Sequence, residues 1–191
     1  PDIINTICLN ADWVIPDKHF IRVVLLALFE QSTELQSTAE DVMDELAAIL
    51  NHKDHQKISM IGSVLFLEKL YAWQSLCVLS NRYVTEEYLL KLLPLMLSSL
   101  VVNTHHGIRV HIELFCGQMI SKFPQIILPR ILNLLRGHNH SAQALASYFV
   151  ILGHYLTSGA ALNDLNDIVD VVFPWMTCGP GKILLNLLRG N

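Results

Sequence analysis

Apolar residues recur at helical spacing along nearly the whole chain. In residues 36–51, QSTAEDVMDELAAILN, Ser37 and Glu40 stand at the spacing of a capping box, and Val42 and Leu46 lie on one side of the helix that follows. No stretch shows sustained alternation of β-branched and polar residues. The pattern therefore predicts an all-α fold, with one helix beginning at Ser37.

A larger unit recurs in the second half of the sequence. It consists of an apolar helix with an internal proline, a short elbow rich in Asn, His and Gly, and an amphipathic return helix. Successive units begin near Thr85, Pro124 and Leu162, which is close to the period of about 40 residues in HEAT and armadillo arrays. We therefore predict HEAT/armadillo-like helical hairpin repeats forming a short right-handed solenoid. The predicted units lie near 38–83, 85–123, 124–159 and 160–191, the last with a helix from Lys182, and a further helix precedes them in 1–37.

The internal prolines are Pro94, Pro129 and Pro174. A proline inside a helix costs about 3 kcal/mol, so three at equivalent places need a reason. In a repeat array the first helix of each hairpin bends around its partner, and packing against neighbours compensates for the kink. The alternative is that each proline ends a short helix. The common period and the similar elbows favour the repeat.

Composition sets limits on the class of protein. The chain has 191 residues, of which 52% are hydrophobic, with a mean hydropathy of +0.40. Its apolar runs are too short for a membrane span, and no targeting peptide is visible, so we expect no membrane partner. Four widely spaced cysteines without a C-x-x-C pair favour reduced thiols and a cytoplasmic or nuclear location. Both ends suggest a piece of a longer protein.

Charge is unevenly distributed. The net charge is −4, but residues 1–50 carry nine acids against two bases, whereas residues 51–159 carry nine bases against five acids. The middle section also holds eight of the nine histidines. Affinity for a polyanion would therefore reside in this middle section.

Histidine and cysteine crowd into HHGIRVHIELFCGQMISKFP, residues 105–124. On one helix His111 and Cys116 would point about 140° apart, so they cannot bind the same metal ion. His105 and His106 are adjacent, and no H-x-x-x-H or C-x-x-C spacing completes a site. We therefore predict an elbow followed by a return helix, with Arg109 and Glu113 facing solvent as a surface ion pair.

The histidines of successive elbows could line one edge of the array. Together with nearby bases they would form a ridge that contacts phosphate. The simpler interpretation, which we prefer, is that polar residues suit exposed turns. If the ridge exists, its candidate RNA contacts are Lys57, His105, His106, Arg109, Arg130, Arg136, His138 and His140.

No catalytic, cofactor-binding or metal-binding constellation is predicted. The segment GPGK at 179–182 lacks the upstream glycine and the following Ser or Thr of a phosphate-binding loop. No nucleophile-elbow or dinucleotide-binding pattern occurs either. We assign Asp164, Asp167 and Asp170, three residues apart, to a solvated helix face.

Three segments carry a family resemblance. AWQSLCVLSNRYV at 72–84, IRVHIELFCGQMISKFP at 108–124 and VVFPWM at 171–176 resemble the helical repeat region of the TAR RNA-binding-protein type eukaryotic tRNA guanosine 2′-O-ribose methyltransferases. The resemblance covers about residues 67–176. It implies a helical array preceding a knotted SPOUT domain that binds S-adenosylmethionine and methylates tRNA. This chain has no counterpart of that domain, so no cofactor or catalytic residue is carried over.

Two functions are compatible with the sequence. One is a non-catalytic scaffold of a tRNA 2′-O-methyltransferase, helping to bind and position tRNA for a separate catalytic domain. The other is a protein-interaction solenoid with no nucleic-acid role, which the acidic first fifty residues favour. An independent enzyme has no support at the level of residues.

Overall fold

The computed structural model describes residues 18–30, 32–52, 63–102, 104–137, 140–159 and 164–177. Within these ranges it contains helices and no strands. The predicted all-α fold is therefore confirmed for the described part of the chain. The helices are α1 (Lys18–Leu28), α2 (Thr33–Asn51), α3 (Val64–Tyr83), α4 (Glu86–Val101), α5 (His106–Lys122), α6 (Pro124–Arg136), α7 (Ala142–Thr157) and α8 (Leu165–Thr177).

The chain divides into two compact units, residues 1–118 and 119–191. In the first unit, helices that alternate in the sequence pack together: α1 against α3, and α2 against α4. The rings of Trp73 on α3 and Phe115 on α5 lie 5.8 Å apart and continue this pattern. In the second unit, α6 packs against both α7 and α8. Alternate-helix packing is the arrangement that stacked helical hairpins produce.

Hydroxyl side chains define the start of four helices. Ser32, Ser63, Thr85 and Ser141 each accept a hydrogen bond from the backbone N–H three residues later. This satisfies one of the free donors in the first turn. The predicted start at Ser37 is wrong, because the hydroxyl of Ser32 caps α2 and Ser37 lies inside the helix.

The three prolines lie inside helices. Pro94 is within α4, Pro129 within α6 and Pro174 within α8, and all three are exposed. The alternative that each proline ends a short helix is therefore wrong. A proline ring that faces solvent avoids clashes with neighbouring helices, although it still removes one helical hydrogen bond.

Buried tyrosines join the helices of the first unit. The hydroxyl of Tyr83 donates to the carbonyl of Leu26 at 2.8 Å, which ties α3 to α1. The hydroxyl of Tyr88 donates to Oδ1 of Asp44 at 2.7 Å, which ties α4 to α2. Burial, and then the hydrogen bond to Asp44, raise the pKa of Tyr88 well above its ordinary value. These bonds let large aromatic side chains enter the core without an unpaired hydroxyl.

Similar contacts hold the second unit. The indole Nε1 of Trp175 on α8 donates to the carbonyl of Leu135 at 3.0 Å, at the end of α6. The hydroxyl of Tyr155 donates to Oδ2 of Asp164 at 2.6 Å and closes the connection between α7 and α8. No helix in the described ranges has the length and apolar character needed to cross a membrane.

We expect Thr85→Ala to lower the free energy of unfolding by about 1 kcal/mol, because α4 loses its N-terminal cap. Urea denaturation measures this change. Thr85→Ser keeps a hydroxyl acceptor and serves as the matched control, with stability close to that of the wild type. Equal stability of the alanine and serine variants would contradict the capping role of Thr85.

Candidate interaction surfaces

Arg109, a candidate for contacting RNA, is buried. The residue is 3% exposed, and its guanidinium donates to the carbonyls of Leu100 at 2.6 Å and Val102 at 2.9 Å. Its Nε lies 3.7 Å from Oε1 of Glu113. The expectation that Arg109 faces solvent is wrong, because the carbonyls at the end of α4 have no helical partners and a guanidinium satisfies two of them at once. Arg109 therefore joins α4 to α5.

The neighbouring histidines differ from each other. Nδ1 of His105 accepts a hydrogen bond from the backbone N–H of Gly107 at 3.1 Å, and its ring meets the ring of Phe66 edge-on, with centroids 5.3 Å apart. His106 is exposed. His105 thus caps the start of α5, since its ring nitrogen does what a serine hydroxyl does at other helix starts. Of this pair, only His106 is exposed.

His111 and Cys116 make separate contacts on α5. A ring nitrogen of His111 lies 3.1 Å from the side-chain nitrogen of Gln74, and burial lowers the pKa of His111 below its ordinary 6.5. Cys116 is fully buried, and burial raises the pKa of its thiol. In the described residues, no group of three His, Cys, Asp or Glu side chains could hold a metal ion. Both side chains belong to the packing between α3 and α5.

In the second unit, exposed positive charge lies at the end of α5 and on α6. Lys122, Arg130 and Arg136 are exposed. The sequence of α6, PQIILPRILNLLR, contains no carboxylate, and every acid in residues 119–177 lies at the start of or within α8. Neither arginine has an ion-pair partner among the described residues. This part of the surface is therefore able to attract an anion.

The other candidate contacts have different positions. Lys57 and His138, like the predicted helix from Lys182, lie outside the described residues. His140 is half-buried between the rings of Tyr148 and Trp175, with centroids 5.4 Å and 6.1 Å away. Its Nε2 is buried and has no hydrogen-bond partner in the described structure. His140 therefore packs against α7 and α8.

A groove that the sequence reasoning missed runs between α7 and α8. Its volume is about 490 Å³, and none of the described residues that line it is charged. Trp175 of α8 packs towards α6 through its hydrogen bond to Leu135, whereas another side of α8, which includes Val169 and Phe173, forms one wall of the groove. The sequence of α8 did carry a signal for the groove, because a helix that is apolar on two sides is expected to have two neighbours. The lining residues are Ala146, Phe149, Val150, Leu152, Gly153, Leu156, Leu165, Ile168, Val169, Val172, Phe173 and Met176.

A smaller cavity of about 160 Å³ lies in the first unit. Its lining includes Lys69, which is 7% exposed and whose pKa is lowered by burial, and residues of the last turns of α2 and α4, such as Asn51 and Ser98. Helix C-termini carry partial negative charge, which favours a nearby cation. Lys69 is therefore explained by the helix ends and points to no ligand.

Comparisons with known proteins give no relative. No protein-family model, no curated protein and no solved structure matches the chain. The resemblance to the tRNA methyltransferase repeat region thus stays a prediction.

Replacing Arg109 tests its structural role. We expect Arg109→Ala to lower the free energy of unfolding by roughly 3 kcal/mol, because buried carbonyls lose their donors. The free energy of unfolding of Arg109→Lys should lie between those of the wild type and Arg109→Ala, since an ammonium lacks the planar fork that reaches both carbonyls. Arg130→Ala on exposed α6 is the control, expected within about 0.5 kcal/mol of the wild type. An unchanged stability of Arg109→Ala, measured in urea, would refute this role.

His111 should make stability depend on pH. Its pKa is lowered in the folded state, so the unfolded chain takes up the proton first as the pH falls through about 6.5. The free energy of unfolding should therefore fall between about pH 7 and pH 5 more steeply in the wild type than in His111→Gln. Above about pH 7.5 the two slopes should agree. Urea titrations at several pH values measure the difference, and parallel curves throughout would contradict it.

Proposed function

We propose that this chain is a non-catalytic helical-repeat scaffold that contributes to binding and positioning RNA. The packing of alternate helices in the first unit, α1 with α3 and α2 with α4, supports the repeat part of the proposal. Such arrays present continuous surfaces to large ligands, because each hairpin exposes one edge.

The exposed face of α6 carries the RNA part of the proposal. Arg130 and Arg136 stand among Gln125, Pro129 and Asn133, all exposed and all without negative charge. Guanidinium groups free of carboxylate partners are suited to phosphate oxygens, which they bind in a bidentate manner. An anionic backbone therefore meets no repulsion along this helix.

The set of proposed contacts differs from the ridge predicted from the sequence. Arg109 and His105 are used within the fold, so we replace them with Lys122 beside α6. His106 is exposed but lies in the first unit, so it is left out of the proposed contacts, as are Lys57, His138 and His140. The proposed phosphate contacts are Lys122, Arg130 and Arg136.

The resemblance of residues 67–176 implies that the RNA is tRNA and that the scaffold serves a 2′-O-methyltransferase. In that arrangement S-adenosylmethionine and the chemistry belong to a separate catalytic domain. The scaffold supplies affinity and orientation through phosphate contacts, which carry no sequence information themselves.

A gel shift with tRNA, titrated in salt, tests the proposal. We expect weak binding that decreases steeply with salt, because only a few phosphates are neutralised. Arg130→Ala/Arg136→Ala should lower the slope of log affinity against log salt by about 1.4 to 1.8, since each phosphate contact contributes about 0.7 to 0.9.

Lys91→Ala is the matched control for that experiment. Lys91 is also an exposed helical cation, but it lies on α4 over the ring of Tyr88. We expect its removal to leave the salt slope unchanged. No tRNA binding at low ionic strength would refute the proposal. An equal decrease of the salt slope in Lys91→Ala and in Arg130→Ala/Arg136→Ala would refute the role of α6.

A protein-interaction scaffold is the second candidate. The observation that favours it is α2, which carries five acids and no base, with Glu34 and Asp41 exposed. This face suits a basic protein surface. A stoichiometric partner that survives nuclease treatment and dissociates in Glu34→Lys/Asp41→Lys would support this candidate over RNA.

A further inference from the structure

The groove between α7 and α8 exposes apolar side chains to an unusual extent. Phe173 is 60% exposed, Val169 47% and Val150 42%. A Cβ added at Gly153 would have no atom within 4 Å, so the floor of the groove is open. Contiguous apolar surface of this kind normally receives another apolar element.

The packing of the first unit indicates which element belongs there. The return helix α5 packs on α3, the return helix of the preceding hairpin, through Phe115 and Trp73. By the same pattern, the helix that follows α8 would pack on α7 and against α8. The groove is lined by these two helices.

The sequence after α8 has the required chemistry. Residues 182–189, KILLNLLR, hold five apolar residues. On a helix, Lys182, Asn186 and Arg189 would fall within about 60° of one another and leave the opposite side apolar. Residues 178–181 would connect it to α8, as residues 102–105 and 137–141 connect α4 to α5 and α6 to α7.

We propose that residues 182–189 of this chain dock as an amphipathic helix in the groove and complete a fourth hairpin with α8. Eight helical residues span about 12 Å, and the stretch of α7 from Ala146 to Leu156 that lines the groove spans about 15 Å. The bases of the segment would stay on its solvent side, and Asp170 of α8 is an exposed carboxylate on the neighbouring helix. The inference depends on the helical hairpins and is independent of whether RNA binds.

Photocrosslinking in the full chain tests the docking. Phe149 lines the groove and is more than thirty residues from the segment in sequence. In Phe149→p-benzoylphenylalanine we expect an intramolecular adduct with residues 182–189, located by mass spectrometry. Tyr71→p-benzoylphenylalanine, at an exposed aromatic position on α3, is the control and should give no such adduct.

Two variants separate docking from random collision of a tethered segment. Leu184→Glu/Leu188→Glu places carboxylates on the apolar side and should lower the adduct yield about tenfold or more, because a buried carboxylate is unfavourable. Asn186→Glu changes the polar side and should leave the yield unchanged. In chains without the crosslinker, amide hydrogen exchange in residues 146–156 should rise only in the leucine variant.

Three results would overturn the proposal. A mixture of isotope-labelled and unlabelled chains that gives mainly intermolecular adducts would assign the groove to a second copy. An adduct elsewhere, or none, would leave the segment out of the groove. An equal response of Leu184→Glu/Leu188→Glu and Asn186→Glu, in yield and in hydrogen exchange, would show that no specific docking occurs.

Discussion

Burial of the second apolar side of each helix is the constraint on which the rest of the structure depends. A hairpin buries only the side that its two helices share, so each helix needs a further neighbour. In the first unit that neighbour is the helix two places along, as Trp73 against Phe115 and Tyr83 against Leu26 demonstrate. In the second unit the same constraint is not met by the described helices alone, because α7 and α8 keep exposed apolar side chains along the groove between them.

Stacking also decides how charged side chains at the elbows are used. Helices that end within a packed array leave carbonyl groups in need of donors, because water reaches them poorly. Arg109 supplies two donors to α4, and Lys69 lies near the ends of α2 and α4. Both side chains are withdrawn from the surface, and the guanidinium of Arg109 stabilises the fold by joining α4 to α5. Arg130 and Arg136 of α6 stay exposed, and at the end of that helix the carbonyl of Leu135 accepts from the indole of Trp175 instead of from a cation.

Much of the fold could be predicted from the sequence because its signals are local. Thr85 and Ser141 mark helix starts, and the period of the prolines placed Pro94, Pro129 and Pro174 in comparable helices. The start at Ser37 was wrong because two serines, five residues apart, both offered a cap. Spacing alone does not choose between them. In the structure Ser32 caps α2, and Gln36, which lies between the two serines, donates to the carbonyl of Tyr83 at the end of α3.

The sequence by itself determined the all-α class, the order of the helices and the apolar side of most of them, since the helical period is written into each segment. Tertiary structure decided which polar residues turn inward. His105 lies in a polar elbow that resembles an exposed turn and Arg109 lies in the first turn of α5, but Phe66 and the end of α4 lie beside them. It also decided that α7 and α8 form a groove. Contacts between helices distant in the sequence depend on stacking, and the period of a single helix carries no information about its neighbours.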